Sequence, residues 1–278
     1  MTLTIEERAK VLVEALPYIK RFHGQIVVVK VGGNAIEQAK DDMLLDVVLL
    51  RYVGMHPVLV HGGGPEITAM SERLGLTATF KNGLRITDDK TMEVVKMVLT
   101  GKVNPDLVGS INRLGGQAVG MSGEDGPSII AEPLDEEMGY VGRVTHVNPE
   151  PITALLSRGY VPVIASIGLG YDGHSYNINA DTVAAEIAVA LNASKLILLT
   201  DVRGVQGGDG EVVAVLTRND ARQRIESGDV TGGMIPKLEA CLRALDSAPL
   251  AHIIDGRIQH ALLLELFTEA GIGTMVTR

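Results

Sequence analysis

Short β-branched and aliphatic runs alternate along this chain with stretches whose apolar positions recur at helical spacing. Residues 26–31 and 58–60 have strand character, while 42–54 and 65–75 carry the helical period. The alternation returns later, where the apolar runs 161–167 and 195–200 flank a helical pattern over 181–191. Runs apolar on both faces and separated by helices predict an α/β fold with a mostly parallel sheet covered on both sides. Phe80 to Ile86 follows a different rule: Asn82-Gly83 between extended runs predicts a tight hairpin with Arg85 just past the turn. Residues 128–147 predict further antiparallel strands with polar turns. A soft lobe boundary is expected at 171–174, dividing an N-lobe of about 25–173 from a C-lobe of about 174–278.

Residues 1–24 form a unit of their own. Ile5, Ala9, Leu12, Leu16 and Ile19 recur at helical spacing, Thr4 and Glu7 are spaced as a capping box, and Pro17 is expected to bend the helix. Its apolar stripe packs either on its own subunit or on another.

Composition narrows the picture. A chain of 278 residues, 46% hydrophobic, with no Trp, 3 Phe and 6 Tyr, must fill its core with aliphatic side chains. The net charge of −9, with basic residues scattered, argues against nucleic acid as a partner. The single cysteine, Cys241, excludes an internal disulfide and a cysteine metal cluster, and its spacing with Leu238, Leu242 and Leu245 places it in the core. With no apolar signal region and no run of membrane-spanning length, the expected location is cytoplasmic.

The candidate chemistry lies in glycine-rich turns. Lys30 in Val29-Lys30-Val31-Gly32-Gly33-Asn34 and Lys237 in Thr231-Gly232-Gly233-Met234-Ile235-Pro236-Lys237 each adjoin such a turn. Backbone N–H groups there close around phosphate oxygens, and a nearby ammonium neutralises the charge that spreads over them in a transition state. In His61-Gly62-Gly63-Gly64-Pro65 a buried strand runs into three glycines, for which no packing purpose is evident, and then a proline at the first position of a helix. That arrangement aims backbone donors and a positive helix end at an anion. His61 reads as structural, since no second histidine or carboxylate stands at metal-ligand spacing. Gly168, Gly170 and Gly173 fit a dinucleotide pattern, but His174-Ser175-Tyr176-Asn177 follows instead of a helix, so a turn is expected. A Walker-type loop is absent. Asn177 and Asn179 alternate on one side of an extended segment and offer amides to a ligand, while Asp181 suits the positive end of the helix that follows.

These segments, together with Lys81-Asn82-Gly83-Leu84-Arg85-Ile86-Thr87 and Thr200-Asp201-Val202-Arg203-Gly204-Val205, come in the order found in the acetylglutamate kinases, and the chain resembles that branch of the amino acid kinase family over residues 25–278. The resemblance implies a three-layer αβα sandwich, an N-lobe holding the acyl amino acid and a C-lobe holding ATP with Mg2+. It implies that Lys30 and Lys237 stabilise the transferring phosphoryl group while Asp181 holds both ammonium groups. Gly63, Gly64, Arg85, Asn177 and Asn179 would bind N-acetyl-L-glutamate. Gly32, Gly33, Thr200, Asp201, Gly204, Val205, Gly232, Gly233 and Met234 would bind the nucleotide, and no protein metal site is implied. The added N-terminal helix and the C-terminal stretch are similar to those of arginine-inhibited members, implying a hexamer built as a trimer of dimers and an arginine site at Tyr18, Lys195, His252, Glu265 and Gly271. On residues 262–266 alone, a buried leucine helix with Glu265 solvated is the competing reading. The alternatives in function are an aminoadipate-type kinase of lysine biosynthesis, with a substrate one methylene longer, and a catalytically silent arginine- or nitrogen-sensing subunit.

Overall fold

The computed structural model describes residues 4–81, 83–208, 210–268 and 271–278, with backbone alone at Arg8 and at 33–40. The chain opens with α1 (Ile5–Phe22), then β1 (Ile26–Val31), α2 (Gly33–Tyr52), β2 (His56–His61) and α3 (Gly64–Arg73). A short hairpin, β3 (Phe80–Lys81) and β4 (Leu84–Arg85), precedes α4 (Asp89–Val98), a π-helical turn at Leu99–Val103 and α5 (Asn104–Arg113). Next come β5 (Ala118–Ser122), β6 (Ile129–Pro133), β7 (Gly142–Val147), α6 (Glu150–Ser157), β8 (Val161–Ala165), β9 (Ile167–Gly170) and β10 (Ser175–Asn177). The last part holds α7 (Ala180–Ala190), β11 (Lys195–Thr200), β12 (Val215–Thr217), α8 (Arg218–Ser227), α9 (Met234–Ala244), β13 (Leu250–Asp255), α10 (Ala261–Phe267) and β14 (Thr274–Thr277).

Eight strands form one sheet in the order β12-β14-β13-β11-β1-β2-β8-β5, parallel throughout except between β13 and β14. The side-chain alternation of each strand divides the core in two. Val28, Leu196 and Leu198 join α7 and α9 on one face, whereas Val27, Val29, Ile197 and Leu199 join α2, α4, α5 and α10 on the other. Strand parity therefore turns Lys30 toward α7, and Lys195 and His252 toward α10. Helix α7 buries the small side chains of Ala184, Ala185 and Ala188, which lets it lie close over β1. A second sheet, β10-β9-β6-β7, packs Ile129, Ala131, Val147 and Tyr176 into the α7 side. The predicted antiparallel pair within 128–147 is β6 with β7.

Several expectations shift. Helix α2 begins at Gly33, nine residues before the helical period registers, because its first turns carry no apolar stripe for periodicity to detect. The 171–174 segment, where the lobe boundary is expected, is the tight turn between β9 and β10, two strands of one sheet, and the chain leaves that sheet only after Asn177. The same turn accounts for the dinucleotide-like glycines. In the β3/β4 hairpin Phe80 pairs with Arg85 as expected, while Asn82 of the turn lies outside the described residues. Thr4 and Glu7 form the capping box, and α1 continues past Pro17 to Phe22 as one element. Only the end of α1 is tied down: Phe22 is buried, whereas Ile5 is 87% and Leu12 74% exposed. Among the described residues no helix is long and apolar enough to cross a membrane.

Candidate active site

The carboxyl ends of β1, β2 and β11 open onto a cleft of about 830 Å³. At its floor a single buried carboxylate takes two ammonium groups. Lys30 Nζ lies 2.8 Å from Asp181 Oδ1, an ion pair set off the hydrogen-bond direction, and Lys237 Nζ donates to Asp181 Oδ2 at 2.9 Å. Burial presses the Lys30 ammonium below the usual lysine range, with Asp181 opposing that shift and Lys237 reinforcing it. Burial also works against charge on Asp181, but the two ammonium groups outweigh it and hold the carboxyl below its usual range. The three side chains come from β1, α7 and α9, and each reaches the same point because the alanine-rich α7 lies between the other two.

The cap of α7 is Asn179 rather than Asp181. Its Oδ1 accepts from the backbone N–H groups of Asp181 and Thr182 at 2.9 and 3.2 Å, which leaves the Asp181 carboxylate free for the lysines. Asn179 also lines the cleft, as do Gly32, Gly63, Gly64, Thr200, Asp201, Gly204, Val205, Gly233 and Met234. Gly33 starts α2 behind Gly32. Gly232 turns the chain into Gly233 with φ of +57°, a conformation that favours glycine.

The three glycines after β2 do have a packing purpose, at one position. A Cβ on Gly63 would come within 2.7 Å of Leu99 Cδ2, so the turn must be bare there for α4 and α5 to approach. Gly64 faces open space, with nothing within 4 Å of such an atom. His61 is fully buried, its Nδ1–H donating to Gly62 O at 3.0 Å and its Nε2 accepting from Asn104 Nδ2 at 2.9 Å. Burial pushes its pKa down to about 4, which fits the structural role expected of it.

Beside the cleft lies a smaller cavity of about 180 Å³, lined by Gly63, Gly64, Arg85, Asn177 and Asn179 among others. Arg85 Nη2 donates to Gly64 O at 3.1 Å and to Thr68 Oγ1 at 2.6 Å, and its guanidinium stacks 4.8 Å from the centre of the Phe80 ring. Its Nη1 is buried with no partner, and among the described residues Arg85 makes no ion pair. A buried guanidinium edge left unpaired is costly unless an anion completes it. Asn177 Nδ2 donates to Thr87 Oγ1 at 3.2 Å, and Thr87 Oγ1 donates to Arg85 O at 2.8 Å, so the two cavity-lining residues are tied together. Thr68 escapes sequence reasoning, since it stands in none of the recognised segments, whereas Thr87 closes the segment 81–87 and only its link to Asn177 required the fold.

The five residues expected to hold arginine gather on the opposite face. His252 Nδ1 and Glu265 Oε1 lie 2.5 Å apart, and the Ile272 N–H donates to Glu265 Oε2 at 3.0 Å. Gly271, at φ +60°, passes so close that a Cβ would sit 3.2 Å from Glu265 Oε2. Lys195 Nζ rests 5.0 Å from the centre of the Phe22 ring, and Tyr18 meets Phe267 edge-on at 6.4 Å. Burial holds Lys195 and His252 below their usual ranges; burial opposes the charge on Glu265, but His252 and the Ile272 amide keep its carboxyl low. Glu265 is buried, not solvated.

The sequence profile of the Amino acid kinase family matches residues 25–255. The chain belongs to the amino acid kinase family. It is 52% identical over 277 residues to the acetylglutamate kinase of Thermoanaerobacter pseudethanolicus, covering 97% of this chain and 93% of that one. To the acetylglutamate kinase of a Synechococcus species it is 54% identical over 277 residues, covering 97% and 92%. Among solved structures, N-acetylglutamate synthase from Neisseria gonorrhoeae, complexed with coenzyme A and N-acetyl-glutamate, superposes with a TM-score of 0.86 at 25% identity, over 96% of this chain and 62% of that one. Carbamate kinase from Giardia lamblia bound to AMP-PNP, at 16% identity and a TM-score of 0.69 over 92% and 99%, shares the fold.

Proposed function

We propose that this chain is an acetylglutamate kinase, transferring the γ-phosphoryl group of ATP to the side-chain carboxylate of N-acetyl-L-glutamate in arginine biosynthesis. The observation that carries this reading is the pair of ammonium groups held on one buried carboxylate, between a large cleft with bare glycine turns and a small cavity holding an unpaired guanidinium nitrogen. The acceptor needs no general base, because a carboxylate is already ionised at pH 7 with an ordinary pKa of roughly 4.3. One of its oxygens attacks the γ-phosphorus, the bond to the β–γ bridging oxygen breaks with its electron pair going to ADP, and an acyl phosphate forms. Lys30 and Lys237 neutralise the charge on the oxygens in flight, and Asp181 keeps both ammonium groups aimed at them. Arg85 and Asn177 grip the acceptor, and the turns at Gly32–Gly33 and Gly232–Gly233 cradle the nucleotide. Magnesium bound together with ATP would supply further charge neutralisation there.

The same reading assigns regulation. Arginine binds at the Lys195, His252 and Glu265 cluster, and the exposed apolar stripe of α1 interlaces with that of a neighbouring dimer to close a hexameric ring in the cytoplasm. A coupled kinase assay with acetylglutamate and acetylaminoadipate, each with and without arginine, tests the whole. Preference for acetylglutamate and inhibition by arginine are expected; turnover of the longer substrate alone, or of neither, overturns the assignment. Removing residues 1–24 is expected to lower the assembly mass to that of a dimer and relieve inhibition, and an intact inhibited hexamer would exclude this role for α1.

A further inference from the structure

Helices α4 and α5 are joined without a loop by the π-helical turn Leu99–Val103. Single π turns inside helices are rare, and they are found frequently at functional sites. This one delivers Leu99 and Val103 onto the glycine turn after β2: a Cβ at Gly63 would lie 2.7 Å from Leu99 Cδ2 and 3.2 Å from Val103 Cγ2. Leu99 is 1% exposed and lines the same cavity of about 180 Å³ as Arg85 and Asn177. Its position is fixed from behind. Asn104, the first residue past the turn, donates to His61 Nε2 at 2.9 Å and to Val163 O at 2.8 Å, locking the π turn to the end of β2 and the middle of β8. Room for the Asn104 amide exists because residue 120 is glycine, whose Cβ would overlap Asn104 Oδ1.

We propose that Leu99 is a specificity-determining residue, an aliphatic wall that sets the size of the acceptor the cavity admits. This rests on the reading of that cavity as the acceptor subsite. The polar groups there recognise the ends of an acyl amino acid but do not measure its bulk. A rigid side chain clamped between the π turn and a bare glycine measures it, since it has no space in which to yield. Aliphatic pockets distinguish substrates differing by one methylene by roughly 10- to 200-fold, and this wall supplies that discrimination.

The test compares kcat/KM for N-acetylglutamate, N-acetylaminoadipate and N-propionylglutamate, the last two each one methylene larger at opposite ends. Wild type, Leu99→Val and Leu99→Ala are measured, with folding checked by circular dichroism; the valine variant, short of one methylene, keeps the test open if the alanine variant does not fold. In Leu99→Ala the ratio of one larger acceptor to N-acetylglutamate is expected to rise about tenfold or more, with a smaller rise in Leu99→Val, and the acceptor that gains identifies the end that Leu99 faces. Unchanged ratios for both larger acceptors in a folded variant overturn the proposal. Arg85→Ala separates this from failure of the underlying reading: a raised KM for N-acetylglutamate keeps the cavity as the acceptor subsite, and an unchanged KM removes that assignment and the role of Leu99 with it.

Discussion

Two buried lysine clusters occupy opposite faces of one sheet, alike in composition and unlike in surroundings. Lys30 meets Asp181 on the α7 side near the carboxyl end of β1, while Lys195 stands at the amino end of the adjoining β11, on the α10 side with His252 and Glu265. In each, burial lowers the lysine and a carboxylate opposes the shift. Around Lys30, however, the strands end, the amino termini of α3 and α7 arrive, and a cleft opens. Around Lys195 the space is taken by the Phe22 ring, and Glu265 is closed in by the backbone at Gly271 and Ile272. Position in the sheet, more than residue type, decides what a buried lysine does. In the proposed function, the lysine at the carboxyl ends of parallel strands meets a reacting anion, and the one enclosed by ring and backbone atoms holds structure or answers a small effector.

The sharpest way to break this contrast is to remove each lysine in turn. Lys30→Ala is expected to lower kcat by about 10³-fold, the scale of a lost transition-state donor, with the KM for acetylglutamate changed only a few-fold. Lys195→Ala is expected to leave kcat without arginine within about twofold while weakening arginine inhibition. Steady-state kinetics on both variants decide it: equal losses would erase the difference between the clusters, and an unchanged kcat in Lys30→Ala would remove that residue from the chemistry.

A smaller effect concerns the support beneath the cleft. His61 is buried neutral with a pKa of about 4, below the ordinary value of 6.5. The unfolded chain therefore binds the extra proton first as pH falls, so the contribution of His61 to stability is complete above about 6.5 and is lost progressively toward 4, amounting to roughly 3 kcal/mol across the window. Denaturant unfolding at a series of pH values should show this slope, and His61→Gln should flatten it. An identical slope in the variant would assign the titration elsewhere.

The finest test concerns the coupling within the trio. Because Lys30 is held below the usual lysine range, the alkaline fall in kcat is expected at lower pH than for an ordinary lysine. Asp181 is the largest influence opposing that depression, so Asp181→Asn should move the alkaline limb to still lower pH in whatever activity remains. A limb that stays in place would show that another group titrates.

Much of this was legible in residue order. The βαβ alternation, the hairpin that carries Arg85, the capping box and the glycine turns are local patterns, set by side-chain period and turn chemistry within a few residues. What escaped was non-local. Asn179, and not Asp181, caps α7, a choice made only when Asp181 is drawn to two lysines from elsewhere. Gly63 is bare because Leu99, 36 positions later, lies against it, and nothing near Gly63 in the chain announces that contact.

By itself the sequence determined the layers, the phosphate-handling turns and the residue types at the site, since hydrophobic period, glycine and proline act through neighbouring residues. Only the tertiary structure decided that Lys30 and Lys237 share one carboxylate, and that Lys30 and Lys195 look out from opposite faces. Those facts depend on strand parity combined with the order of strands in the sheet, and that order is settled by the packing of distant segments against one another.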